Sequence, residues 1–157
     1  MPTTAARVPV TTGTAIKTML QIKAFVPLKI IEWGIFFDGF AAALPGRIEL
    51  IETDVAATVT TLADADISRL DMVADGVAPS VAGLTLGTAA TGFTASAEGS
   101  ITSVRSLDPT AFLPPTGPFV KQFALGREPL IQINKFVRIR VTMGTAVNAY
   151  CYAIVST

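Results

Sequence analysis

The chain has 157 residues, enough for one domain with a full core and too few for two comfortable ones. Half of them are apolar and only 15% are charged, against about 25% in an ordinary soluble domain, and twelve basic side chains cancel twelve acidic ones. There is no histidine and one cysteine, which removes the commonest general base and metal ligand, every Ser-His or Cys-His pair, and any internal disulfide.

Residues 1–15 read as an extended N-terminal arm. Pro2, Pro9 and Gly13 stand among Thr, Ala and Val with one charge, Arg7, a composition that disfavours helix. Apolar Val8 and Val10 favour docking of the arm over free motion. The start also lacks the charged run and apolar stretch of a signal peptide.

Residues 16–157 read as a single β domain. "TMLQIKAFV" and "LKIIEWGIFFDG" are two β-rich runs parted by Pro27, and Trp33 lies in the more apolar one, where a core role is expected. After the turn-like "FAAALPG" comes a third run, "GRIELIET". A strand is expected from about Val55, followed by an irregular or short helical segment. "DADISRLD" offers Asp64, Asp66 and Asp71, the ligand chemistry of calcium, without the glycine and glutamate of an EF-hand loop. No metal site is expected there.

The longest uncharged stretch, Gly76 to Ala97, is broken by five glycines or prolines. A spanning helix needs about 20 mainly apolar residues, so a membrane partner is not expected. The stretch reads as a long excursion with short strands and turns at Gly83, Gly87 and Gly92. "GLTLGTAATG" lacks the Gly-Lys-Thr ending of a phosphate loop. Then come "ITSVRS", the Pro-rich loop "LDPTAFLPPTGP" flanked by Phe112 and Phe119, and "FVKQFALG". That stiff loop suits docking, because it loses little entropy on binding, and equally suits capping the core. The last two runs, "KFVRIRVTMG" and "AVNAYCYAIV", are joined by "GT" as in a tight hairpin. Cys151 falls on the second as a small buried side chain. About eight strands with little helix make an all-β antiparallel sandwich, jelly-roll-like or barrel-like, with an extended arm and long loops.

Charge is segregated. Glu49 to Asp75 holds seven acidic residues and one basic, whereas Ile101 onward holds six basic and two acidic. Arg138 and Arg140 alternate with Val137, Ile139 and Val141, which puts both arginines on one strand face. With zero net charge, a nucleic-acid grip is not expected. The face is either solvated opposite Glu49 or Glu128, or the positive half of a charge-segregated surface, with Arg127 nearby, that meets the acidic segment within the fold or across an interface. Paired carboxylates such as Glu49 and Glu52 have no spacing that specifies acid-base work, so no catalytic residue and no cofactor are expected. A chain short of surface that favours water is expected to bury it against other copies or another protein.

Four segments together, "KIIEWGIFFDG", "ATGFTASAEGSI", "KQFALGREPLIQINKFVRIRVT" and "VNAYCYAIV", resemble the small, Ala/Thr-rich β proteins of tailed bacteriophages that serve as capsid decoration (cement) proteins or related head components. The resemblance covers the chain from about Ile16 onward as overall texture, and no family residue carries over from it. It implies a structural virion protein on the capsid surface, assembled in the host cytoplasm. Such a protein binds the outside of the major capsid protein lattice and forms homo-oligomers, often trimers. The interface residues expected are Val8, Val10, Phe112, Phe119, Arg127, Arg138 and Arg140. The competing class is a ligand- or carbohydrate-binding β module on a virion or secreted protein. Such sites expose aromatic platforms, for which Tyr150, Tyr152 and the loop Phe residues are available.

Overall fold

The computed structural model describes residues 8–39, 44–70, 74–75 and 83–157. In chain order the strands are β1 (Val10–Thr11), β2 (Lys17–Ala24), β3 (Leu28–Asp38), β4 (Gly46–Thr53), β5 (Thr58–Thr61), β6 (Ser68–Arg69) and β7 (Ala74–Asp75). They continue with β8 (Leu84–Thr85), β9 (Gly92–Ala97), β10 (Val104–Leu113), β11 (Pro118–Gln122), β12 (Leu130–Ile131), β13 (Phe136–Thr142) and β14 (Asn148–Ser156). A short 3-10 turn, Asp64–Asp66, follows β5, where an irregular segment is expected from the sequence.

Two antiparallel sheets pack against each other, as the alternating runs require. Sheet A has the order β1-β14-β3-β11, with β12 also on β3; sheet B has the order β10-β4-β13-β2-β9-β5, with β8 also on β2. β6 and β7 form a separate ribbon. The shared core takes Leu28, Ile30, Trp33 and Ile35 from sheet A, and Ile48, Leu50, Val137 and Ile139 from sheet B. Each such aliphatic side chain, removed from water, contributes about 1.5–3 kcal/mol. Trp33 adds a polar tie between the sheets: its indole N–H donates to Asp108 Oδ2 on β10 at 3.0 Å.

Three expectations are corrected. "GT" does not make a hairpin, because β13 pairs with β2 and β4 in sheet B while β14 pairs with β3 in sheet A. The connection instead carries buried Met143 and Val147 from one sheet to the other. Gly92 is not a turn but the first residue of β9; a Cβ there would lie 2.4 Å from Thr60 O, so β5 approaches too closely for any side chain. The Pro-rich segment is not a loop until after Leu113. β10 runs through Pro109 as an edge strand, with register breaks between Ser106 and Asp108 and between Asp108 and Ala111. Proline and bulges on an edge strand blunt it against pairing with other chains.

The arm also returns to its own domain. Val10 and Thr11 pair with Ala149 and Asn148, Thr12 N–H donates to Val147 O at 2.8 Å, and the Val147 N–H donates to Thr12 Oγ1 at 3.2 Å. Those residues therefore belong to sheet A. Residues 1–7 of the arm, Asp71 of the acidic run, residues 40–43 of the expected turn and residues 76–82 of the excursion lie outside the described residues.

Candidate functional site

The outer faces of the two sheets differ. The middle of sheet B, over β2 and β13, is roofed by its own chain. Gln21 on β2 is buried; its amide donates to Ala90 O at 2.6 Å and Ala57 O at 3.3 Å, and its Oε1 accepts the Ala57 N–H at 2.7 Å. Ala57, Val59 and Ala95 form a small second core in this layer.

Arg138 is enclosed beneath the same roof at 0% exposure. Its guanidinium donates to Glu98 O at 2.9 Å, to Glu98 Oε2 at 3.3 Å, and to Val55 O. Glu98 is held in turn by the Thr18 N–H at 2.5 Å and the Thr18 hydroxyl at 2.6 Å. Burial pulls the Arg138 pKa down, and the neighbouring Glu98 carboxylate opposes that. The expectation of a solvated or partner-facing Arg138 is corrected. The segments carrying Val55 and Glu98 lie over the outer face of β13 at Arg138, and alternation alone does not distinguish an outer face from a roofed one.

Arg140 pairs with Glu49, the residue opposite it in the β13–β4 register. Arg105 pairs with Glu52 at 2.7 Å. Acidic and basic segments therefore meet within the subunit at these pairs. At the rim of the roof, Asp54 accepts the Thr102 hydroxyl and the Ser103 N–H, the latter at 3.0 Å. Those bonds, the Thr102 hydroxyl first, hold the Asp54 pKa at about 2, below its ordinary 3.8. A carboxylate depressed by folding contributes stability above its unfolded pKa, and that contribution is lost as pH falls through its folded value. In Asp54→Asn the loss of stability between pH 3.8 and about 2 should therefore be shallower than in the parent chain. Urea midpoints measured across that range read the difference.

Sheet A has no such roof among the described residues. On β3, Trp33, Ile35 and Phe37 point inward, which sends Gly34 and Phe36 outward. On β14, Ala149, Cys151 and Ala153 pack toward the core, which sends Tyr150 and Tyr152 outward. Register sets Phe36 between Tyr150 and Pro118, and Gly34 between Tyr152 and Val120. The Phe36 ring is 5.9 Å from Tyr152, stacked at 29°, and 6.3 Å from Tyr150. The Tyr152 ring covers Gly34 so closely that a Cβ there would lie 2.3 Å from Tyr152 Cε1. Its hydroxyl donates to Glu32 Oε1 at 2.6 Å, and burial together with that carboxylate pushes its pKa up to about 12. Phe36 remains 41% exposed and Val120 49%. The result is an aromatic and aliphatic face in which the Tyr152 hydroxyl is already committed to Glu32.

The expected interface residues are not brought together. Val8 is exposed, Val10 packs against the core, and Phe119 sits 5.0 Å from Trp33. Phe112 is 74% exposed beside Arg47 at one end of the sandwich. Arg127 is exposed in the turn before β12, which pairs with the opposite end of β3. Phe36 and Val120 were not among the expected residues; the alternation of "EWGIFFD" around a buried Trp33 was the signal for Phe36. Among the described residues no cluster of His, Cys, Asp or Glu suits a metal ion, and no helix is long and apolar enough to cross a membrane. No family model, no curated protein and no solved structure matches the chain.

Proposed function

We propose that this protein is a structural component of a tailed-phage head, which binds the outside of the major capsid protein lattice and reinforces it. The observation that carries the reading is the asymmetry of the sandwich. The middle of sheet B is roofed and its Arg138 and Arg140 are paired inside the subunit, while sheet A presents Phe36, Tyr150, Tyr152 and Val120. A face of that kind adheres through apolar area, with little dependence on charge steering. Aromatic residues are the type enriched at the centre of protein interfaces. The low charge of the chain and its enclosed ion pairs suit a subunit buried in a lattice.

The test uses the purified chain and empty shells of its cognate capsid protein, separated by sedimentation. Saturable co-sedimentation that persists in about 0.5 M salt, where surface charges are screened, is expected. Phe36→Glu should lower occupancy about tenfold or more, with the melting temperature within a few degrees of the parent, because it places a charge at the centre of a desolvated contact. Absence of binding by the parent chain, or equal binding by the variant, contradicts the proposal.

A carbohydrate-binding module is the second reading. Its support is the stacked Phe36 and Tyr152 pair with Glu32 beside the phenol, since flat rings next to a carboxylate suit a sugar. Glycan titration that perturbs Tyr152, together with no shell binding, selects this reading over the first.

A further inference from the structure

The two side edges of sheet A carry complementary features. On one edge, β11 and β12 pair with the same side of β3 and are joined by a turn. The chain leaves β3 where the Phe123 N–H donates to Ile31 O at 2.9 Å, and returns where Pro129 O accepts the Ile30 N–H at 3.1 Å. The turn is ordered by its own bonds: the Arg127 N–H donates to Ala124 O at 2.8 Å, and Glu128 Oε1 accepts the Gly126 N–H at 3.0 Å. Gly126 supplies the left-handed φ of +79° that the bend requires. At the tip Leu125 is 98% exposed, and exposed Lys121 and Arg127 flank it in the chain. On the other edge a groove of about 770 Å³ lies between the sheets, lined by Cys151 and Val155 of β14 and by Met19, Leu20 and Phe93 of sheet B. Asp66 and Leu70 also line it, and exposed Asp64 stands on the same 3-10 turn as Asp66.

We propose that the chain associates head to tail with a second copy of itself, the Leu125 turn of one copy seated in the groove of the next. The turn does not reach the groove of its own subunit, because β3 lies between them. The charges at the two features are opposite: Lys121 and Arg127 flank the tip, while Asp64 and Asp66 stand at the groove. The features also share a level along the sheet. Ile30, where the turn returns, pairs on its other side with Val155 of the groove, so copies set edge to edge meet without sliding along the strands. Seating removes the Leu125 side chain from water, and a turn already held by its own bonds loses little entropy in doing so. Two different patches make the contact heterologous, and its repetition gives a ring or a row. Phe36 lies in neither patch, so the contact does not rest on the capsid reading.

Sedimentation velocity of the purified chain tests this, and species larger than the monomer are expected at about 0.1 mM. Leu125→Ser should raise the dissociation constant about tenfold or more, because it empties the centre of the contact. Arg127→Asp and Asp64→Arg should each raise it about threefold or more at low salt, and the two together in one chain should recover most of the loss. All three side chains are exposed, so every melting temperature should stay within a few degrees of the parent. A parent that stays monomeric, single variants that assemble like the parent, or a double variant no better than the singles each overturn the proposal. An effect of Leu125→Ser with none of Asp64→Arg would mean that the tips meet each other, and overturns it too.

Discussion

Replacing Arg138 by Leu is expected to destabilise the domain by about 3–5 kcal/mol, the usual consequence of removing one partner from a buried ion pair. The guanidinium satisfies Glu98 and the Val55 carbonyl at 0% exposure, and water does not replace it there. For a chain of this size, each kcal/mol moves the melting temperature by about 2–4 °C, so a fall on the order of 10 °C is expected. Arg138→Lys should recover only part of the loss, because one ammonium does not span acceptors on two segments. Reversing the charge of Arg138 and Arg140 together separates two accounts of these arginines. The enclosed pairs with Glu98 and Glu49 require a large fall in melting temperature. Loss of assembly at an unchanged melting temperature would mean that the arginines act across an interface.

The second large effect is expected at Trp33. Trp33→Ala should cost about 3–5 kcal/mol through the cavity it leaves. The indole is 1% exposed, packs on Phe119 at 5.0 Å, and donates to Asp108 Oδ2 at 3.0 Å. Trp33→Phe keeps most of the volume and removes the donor, so it isolates the polar tie between the sheets. A loss of about 1–3 kcal/mol is expected from leaving buried Asp108 without its partner. Adding Asp108→Asn to Trp33→Phe should recover part of that loss, since a neutral amide is less costly to bury than a carboxylate. Urea unfolding of the three variants measures each step. Equal stability of Trp33→Phe and the parent would show that the tie contributes nothing.

The class of fold was legible because the longer strands alternate strongly. "LKIIEWGIFFD" and "GRIELIET" became β3 and β4 with little change of boundary. Connectivity was not legible. A short "GT" link between two alternating runs suits a hairpin and a crossing between sheets equally well, and buried Met143 and Val147 decide for the crossing. The face of Arg138 was misread for a related reason. Period-two alternation shows that a residue points away from the core, but not whether another segment lies over it, and here the cover comes from Val55 and Glu98, far away in sequence. The aromatic face was partly legible: Tyr150 and Tyr152 were recognised as available rings, but their meeting with Phe36 depends on the β14–β3 register. Register is fixed by tertiary pairing, which local pattern does not carry.

In the proposed function, the uncovered face of sheet A is the one that meets the capsid. Electron cryomicroscopy of cognate shells, imaged bare and after saturation with the purified chain, tests it most directly. Added density is expected on the outer surface, into which the sandwich fits with Phe36, Tyr150 and Tyr152 against the shell and the roofed face of sheet B turned away. Density fitted with those rings toward solvent, or shells that gain no density at saturation, would contradict it.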